Sequence, residues 1–255
     1  MNGARAIAVQ VSSVVQHFVS NFQTALNPQI IKNYASGNID DMLKLVFRGS
    51  RFSYYILFVI ALPLFVNADY ILSLWLKHVP EHTSNFLRLV LIFTLFESLS
   101  GPLKTTMYAT GIVRNYQIVV GGVQLMNLPI SYIFLYLGYP SESVFVIAIV
   151  LSFVGMIGRL FTIKPLIQLS ISSFMLNVWL NVMTISFVSA ALPILCSYYM
   201  EQGIFRFILI STLSIICSML AILYIGCNKE ERGIIYGYKK NILGKIKYFK
   251  KTRND

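Results

Sequence analysis

Hydrophobic and polar positions in the opening stretch, Ala4 to Tyr34, repeat with a helical period. Gln10, Ser13, His17, Ser20, Asn21 and Thr24 fall along one face, while Val11, Val14, Val15, Phe18, Val19 and Phe22 cover much of the rest. The pattern predicts a long helix with one polar stripe, closed by Asn27-Pro28. Downstream, apolar runs of about 20 residues recur, each long enough to cross a bilayer. With the first helix they make seven predicted spans, near 5–26, 52–68, 84–101, 115–137, 143–164, 176–199 and 204–227. The links between them are short, and no soluble domain is inserted. Between the first two spans, Met42, Leu45 and Val46 oppose Asp41, Lys44 and Arg48, which suits a short interfacial or surface helix over Ile39–Arg48.

Composition places that stripe in a membrane. Mean hydropathy is +0.67. Hydrophobic residues make up 56% of the chain and charged ones 12%, against about 25% charged in soluble domains. The fold class expected is an all-α integral membrane protein, because no short segments alternate strictly as β-barrel strands do. A polar stripe facing hydrocarbon is costly. It therefore serves either as interhelical glue or as the lining of a watery cavity.

The net charge of +11 points to membrane orientation rather than to nucleic acid, because the basic residues sit mostly in loops and one tail. Lys32, Lys44, Arg48 and Arg51 follow the first span, Lys77 alone the second, and Lys104 and Arg114 the third. None follows the fourth, Arg159 and Lys164 mark the end of the fifth, Arg206 follows the sixth, and the tail from 229 carries nine more. The positive-inside rule then puts the N-terminus outside and the C-terminus in the cytoplasm. Within the tail, Ile235, Tyr238, Ile242, Ile246 and Phe249 recur at helical spacing among lysines, as in a basic amphipathic helix on the anionic leaflet; a disordered basic tail has the same composition. Tyr54, Tyr55, Tyr70, Trp75, Tyr139, Tyr198 and Tyr199 near span ends read as interfacial aromatics. An outside N-terminus followed at once by a striped helix leads us to expect a preceding span, with this chain the C-terminal part of a larger transporter.

Candidate chemistry lies with polar and charged groups at membrane depth. Glu97 is the one acid there, either a coupling carboxylate or the partner of a buried arginine such as Arg88. Arg5, Lys104, Arg114 and Arg159, near span ends, suit either a cationic vestibule for an anionic head group or snorkelling. His17 sits mid-span on the striped face with Gln10 and Asn21, and either titrates in a transport cycle or packs as a neutral ring. Gln124 and Asn127 precede Pro129, where an opened helix would offer amides to sugar hydroxyls. Pro63, Pro129 and Pro193 each permit a kink within a span. Cys196, Cys217 and Cys227 lack metal-site spacing, and the sequence offers no Ser/His/Asp set and no P-loop, so neither metal nor cofactor is expected. Asp40-Asp41 reads as a pair of helix-dipole partners. The largest outer loop, roughly 69–83, is short for a polyprenyl-sugar transferase, which argues against an enzyme.

Asn2-Gly-Ala-Arg5-Ala-Ile-Ala8 and Phe18-Val-Ser-Asn-Phe-Gln-Thr-Ala-Leu-Asn-Pro-Gln-Ile-Ile-Lys-Asn-Tyr-Ala-Ser-Gly37 resemble the second-lobe opening of polysaccharide flippases. These are of the O-antigen and capsule type, in the multidrug/oligosaccharidyl-lipid/polysaccharide exporter superfamily. The resemblance runs on through Arg48-Gly-Ser-Arg-Phe52, Ile71-Leu-Ser-Leu-Trp-Leu76, Ala109-Thr-Gly111, Tyr116-Gln117-Ile118 and Leu128-Pro-Ile-Ser-Tyr132, and fades after about Arg159. It implies two six-helix lobes rocking about a central cavity, with two further C-terminal helices. It also implies undecaprenyl-pyrophosphate-linked oligosaccharide as cargo, in a bacterial inner membrane, as part of surface polysaccharide or lipopolysaccharide biosynthesis. On that pattern residues 1–165 are a partial second lobe, 166–228 the two added spans and 229–255 the basic cytoplasmic tail. The partners implied are the lipid-linked glycan, membrane lipids, and the missing N-terminal lobe or a partner chain. A drug/cation antiporter of the same superfamily would need a more acidic cavity. A seven-span receptor and a membrane glycan-joining enzyme are further alternatives. The first lacks an outer cysteine pair and a lysine in the last span, and the second lacks a catalytic outer loop.

Overall fold

The computed structural model describes residues 2–233, all of it helices and connecting turns. In chain order these are α1 (Asn2–Ala35), α2 (Ile39–Val66), α3 (Ala68–Trp75), α4 (Thr83–Ser98), α5 (Gly101–Thr110), α6 (Arg114–Leu125), α7 (Asn127–Tyr136), α8 (Ser143–Ile167), α9 (Ile171–Phe174), α10 (Asn181–Tyr198) and α11 (Ile204–Ala221). Wide π turns, Met175–Leu180 and Ile222–Gly226, lead into α10 and out of α11. Among the described residues six stretches are long and apolar enough to cross a membrane: 39–66, 83–110, 114–136, 143–167, 171–198 and 204–226. The protein is thus an all-α multi-pass membrane protein. α1 is longer than any of these, but its polar stripe keeps it out of that set.

Two expectations about the first helices need correcting. Asn27-Pro28 does not end α1, which runs through Pro28 to Ala35. The segment 39–48 is not a separate helix lying in the interface but the first turns of α2. Its start is capped by Asn38, whose side chain accepts from the Asp41 amide, and Asp40 and Asp41 in the first turn complement the helix dipole. At Pro129 the kink expected within a span is present as a break in the 114–136 stretch. The chain breaks at Met126 and restarts as α7, with Pro129 in that first turn, where a missing backbone donor costs nothing.

α2 is the central post. It packs against α1, α4 and α5 on one side and α10 and α11 on the other. Tyr54 and Tyr55 are therefore buried in its middle rather than placed at an interface; Tyr54 shares a hydrogen bond with Ser186 and Tyr55 donates to Asn181. A broad apolar core joins Val46, Phe58 and Leu62 of α2 to Leu103, Leu160, Val178 and Ile185. α1 meets its neighbours through small residues at four-residue spacing, Ala4, Ala8 and Ser12, all fully or nearly buried. Small residues at that interval let helices approach closely where lipid offers no hydrophobic drive for association.

Gly49 marks one close approach in this packing. A Cβ there would collide with Leu26 Cδ2 and lie 3.1 Å from Pro102 Cγ, whereas one at Gly121 of α6 would meet nothing within 4 Å. Gly49→Ala is expected to destabilise, because overpacking of about 1–3 kcal/mol exceeds the helix-propensity gain of about 1 kcal/mol. Gly121→Ala keeps that gain alone. Thermal midpoints in detergent should move down for the first variant and up for the second.

Candidate functional site

The polar stripe of α1 points away from the rest of the bundle. Gln10, Ser13, His17, Ser20, Asn21 and Thr24 are all exposed, along with Val14 and Phe18. Their hydroxyls do not bridge helices. Ser13 donates to the Gln10 carbonyl, Ser20 to His17 and Thr24 to Ser20. The interhelical role falls instead to three residues outside the stripe. Asn27 Oδ1 accepts from Thr105 Oγ1 of α5 at 2.7 Å. Ser12 shares a 2.7 Å hydrogen bond with Thr94 of α4, and the Gln23 amide donates to Ser53 Oγ and to the Ser98 carbonyl. Ser12 was legible in the four-residue ridge of small side chains; Gln23 carried no signal beyond being polar on an apolar face.

Beside the stripe a cleft of about 280 Å³ opens between α1, α4, α7 and α8. Arg5, Ser12, Ser13, Gln16, Thr94 and Asn127 supply its polar lining, and Val9, Val90, Phe93 and Phe145 its apolar walls. The Arg5 guanidinium lies 6.0 Å from the centre of the Phe145 ring, in cation–π geometry. Asn127 is held in place by a hydrogen bond that its side-chain oxygen accepts from Ser131, one turn on. Of the residues singled out from sequence, Arg5 and Asn127 meet in this cleft. Gln10, His17 and Asn21 line the exposed face of α1, and Gln124 is exposed near the end of α6.

Arg159 lies elsewhere. It is 1% exposed on α8, inside the helix packing rather than in a vestibule. There it meets Glu97, and the Arg88 pairing considered from sequence is replaced by Arg159 and Lys104. Glu97 Oε1 accepts from Ser152 (2.7 Å) and Arg159 Nη1 (3.4 Å), and Oε2 accepts from Lys104 (3.0 Å). Arg159 also donates to Ser100 Oγ at 2.7 Å. The break between α4 and α5 at Leu99-Ser100 turns both Glu97 and Lys104 toward α8. With two cations to one carboxylate, the cluster keeps a net positive charge. Arg88 instead pairs with Asp69 at 2.6 Å and donates to the Phe65 carbonyl. Burial raises the Asp69 carboxyl, but hydrogen bonds from Ser84 and Arg88 outweigh it and hold the group below the usual range. On the α7–α8 turn Glu142 pairs with His82 at 2.6 Å. Among the described residues no three His, Cys, Asp or Glu side chains gather as a metal site.

A multi-pass helical bundle with a polar helix face, a cationic cleft and the Glu97 carboxylate already paired has the makings of a transporter. The comparison with family models agrees. The MatE family matches residues 3–133, just over half of the chain, and the chain belongs to that family of membrane transporters. No curated protein matches it, and no solved structure does.

Proposed function

We propose that this chain carries the cargo-facing lobe of a flippase for undecaprenyl-pyrophosphate-linked oligosaccharides in a bacterial inner membrane. The observation that carries the reading is the chemistry of the open face of α1 and its cleft. Amides and hydroxyls line it with one guanidinium, and neither α1 nor the cleft lining contains a carboxylate. Amides and hydroxyls match sugar hydroxyls, and Arg5 matches a phosphate oxygen. A cationic drug would call for an uncompensated acid, and Glu97 is already held between two cations.

On this reading the bundle up to about residue 165 acts as a transport lobe. α10 and α11 are an added pair, and a second lobe closes over the α1 stripe in each cycle. That lobe comes from an upstream segment of a longer chain or from a partner chain. Polar side chains on α1 then face water or cargo, never hydrocarbon. The test is reconstitution of the protein, purified from its native membrane, into vesicles loaded with a fluorescent undecaprenyl-pyrophosphate-linked oligosaccharide. Transfer between leaflets above that of empty vesicles is expected. Transfer equal to the empty control would overturn the reading.

A further inference from the structure

The segment that follows α11 lies beyond the family match, yet it is fastened to α2 by a buried network of charges. The Glu231 carboxylate accepts from Arg51 Nη2 at 2.6 Å and from Arg48 Nε at 3.0 Å through one oxygen. Its other oxygen accepts from the Asn228 backbone N–H at 2.8 Å, which closes the first turn of the helical segment 229–233. The Glu231 side chain is 5% exposed and that of Arg51 7%. The Gly226 carbonyl, at the end of the π turn, accepts from Tyr55 at 3.2 Å and from Arg51 at 3.5 Å. A Cβ at Gly226 would sit 2.9 Å from the Tyr55 hydroxyl, so the glycine is what lets this carbonyl reach its donors.

The fastening continues along α2. Tyr55 reaches Asn181, Tyr54 reaches Ser186 at 2.7 Å, and Asn67 at its far end donates to Ser211 at 3.4 Å. From Arg48 to Asn67 this seam covers about 28 Å of helix at 1.5 Å per residue. On its opposite side α2 holds α1 through Ser53 and Gln23. Apolar packing alone gives helices in lipid little reason to keep one register, and polar pairs supply it.

We propose that Arg48, Arg51 and Glu231 form an ionic latch that makes α2 and the α10–α11 hairpin one moving body, so that any displacement of α2 carries the hairpin with it. Loss of charge on either side of the latch frees the end of α11 while the rest of the bundle stays folded.

Cys227 reports on the latch. It is 2% exposed beside the network, while Cys217 on α11 is partly buried. Burial pushes the Cys227 thiol up, the Glu231 charge adds to that, and Arg51 opposes it. A membrane-permeant maleimide is applied to the intact protein, and labelling of Cys227 and Cys217 is followed by peptide mass spectrometry. Opening of the latch predicts that Glu231→Gln and Arg51→Gln both speed labelling of Cys227, by about tenfold or more for loss of a buried partner, with Cys217 unchanged. Local electrostatics without opening predicts opposite signs, faster labelling in Glu231→Gln and slower in Arg51→Gln. Opposite signs, no change in either variant, or an equal rise at Cys217 would each overturn the proposal.

Discussion

Glu97→Ala is expected to cost this protein a large part of its stability rather than merely its activity. The carboxylate is shared by Lys104, Ser152 and Arg159. Arg159 is 1% exposed, and its Nε already has no hydrogen-bond partner. Removing the carboxylate leaves that guanidinium with neutral hydroxyls alone, those of Ser100 and Tyr116, in surroundings that cannot solvate it. Breaking a buried pair from one side costs about 3–5 kcal/mol, set against a total of about 5–15 kcal/mol for a typical domain. Three helices lose their common tie at once, because α4, α5 and α8 meet at this point. Glu97→Ala/Arg159→Met removes the stranded charge along with its partner and is expected to recover part of the loss. The measurement is the fraction of monodisperse protein after heating in detergent, for the wild type, the single variant and the double. A Glu97→Ala protein as stable as the wild type but inactive in transport would mean that the carboxylate couples an ion rather than locking the helices.

How much of this was legible beforehand varies from residue to residue. The fold class was fully so, because apolar runs of bilayer length have one solution when every backbone group must be satisfied internally. The break before Pro129 could be read in outline, since proline removes a donor wherever it falls, although its exact place at Met126 depends on packing against α8. Pro28 misled for the same reason in reverse. A kink-compatible proline is tolerated when neighbouring helices hold the chain straight, and nothing local reveals those neighbours. Tyr54 and Tyr55 read as interfacial because the predicted span starts near 52; with the helix beginning at Ile39 they fall in its buried middle. The partner of Glu97 was beyond reach, since Arg159 lies 62 positions away and only the tertiary fold brings α8 against the α4–α5 break. The same is true of Glu231, which reads as one more charge in a basic tail until α2 is placed beside it. The part of that tail read as an amphipathic helix, from Ile234 onward, lies outside the described residues.

Arg5→Glu should separate transport from folding. Arg5 is exposed at the mouth of the cleft, and apart from the face of Phe145 its surroundings are open. Substitutions at such positions usually change stability by about 0.5 kcal/mol or less. The electrostatic effect on an anionic head group is far larger, because the reversal replaces attraction by repulsion within walls of low dielectric. A loss of about 1.4 kcal/mol in the bound or transition state already lowers the rate tenfold, and reversal of a contacting charge should exceed that. Leaflet transfer of the fluorescent glycan is therefore expected to fall by at least about tenfold in Arg5→Glu. The fall should be smaller in Arg5→Lys, which keeps the charge but gives up the planar fork that grips phosphate. Thermal midpoints of both variants should match the wild type. Because ions screen attraction and repulsion alike, raising the salt should slow the wild type and speed Arg5→Glu. Wild-type transfer rates in a folded Arg5→Glu protein would remove the cleft from the cargo path and leave the α1 stripe, through Gln10, His17 and Asn21, as the surface to probe next.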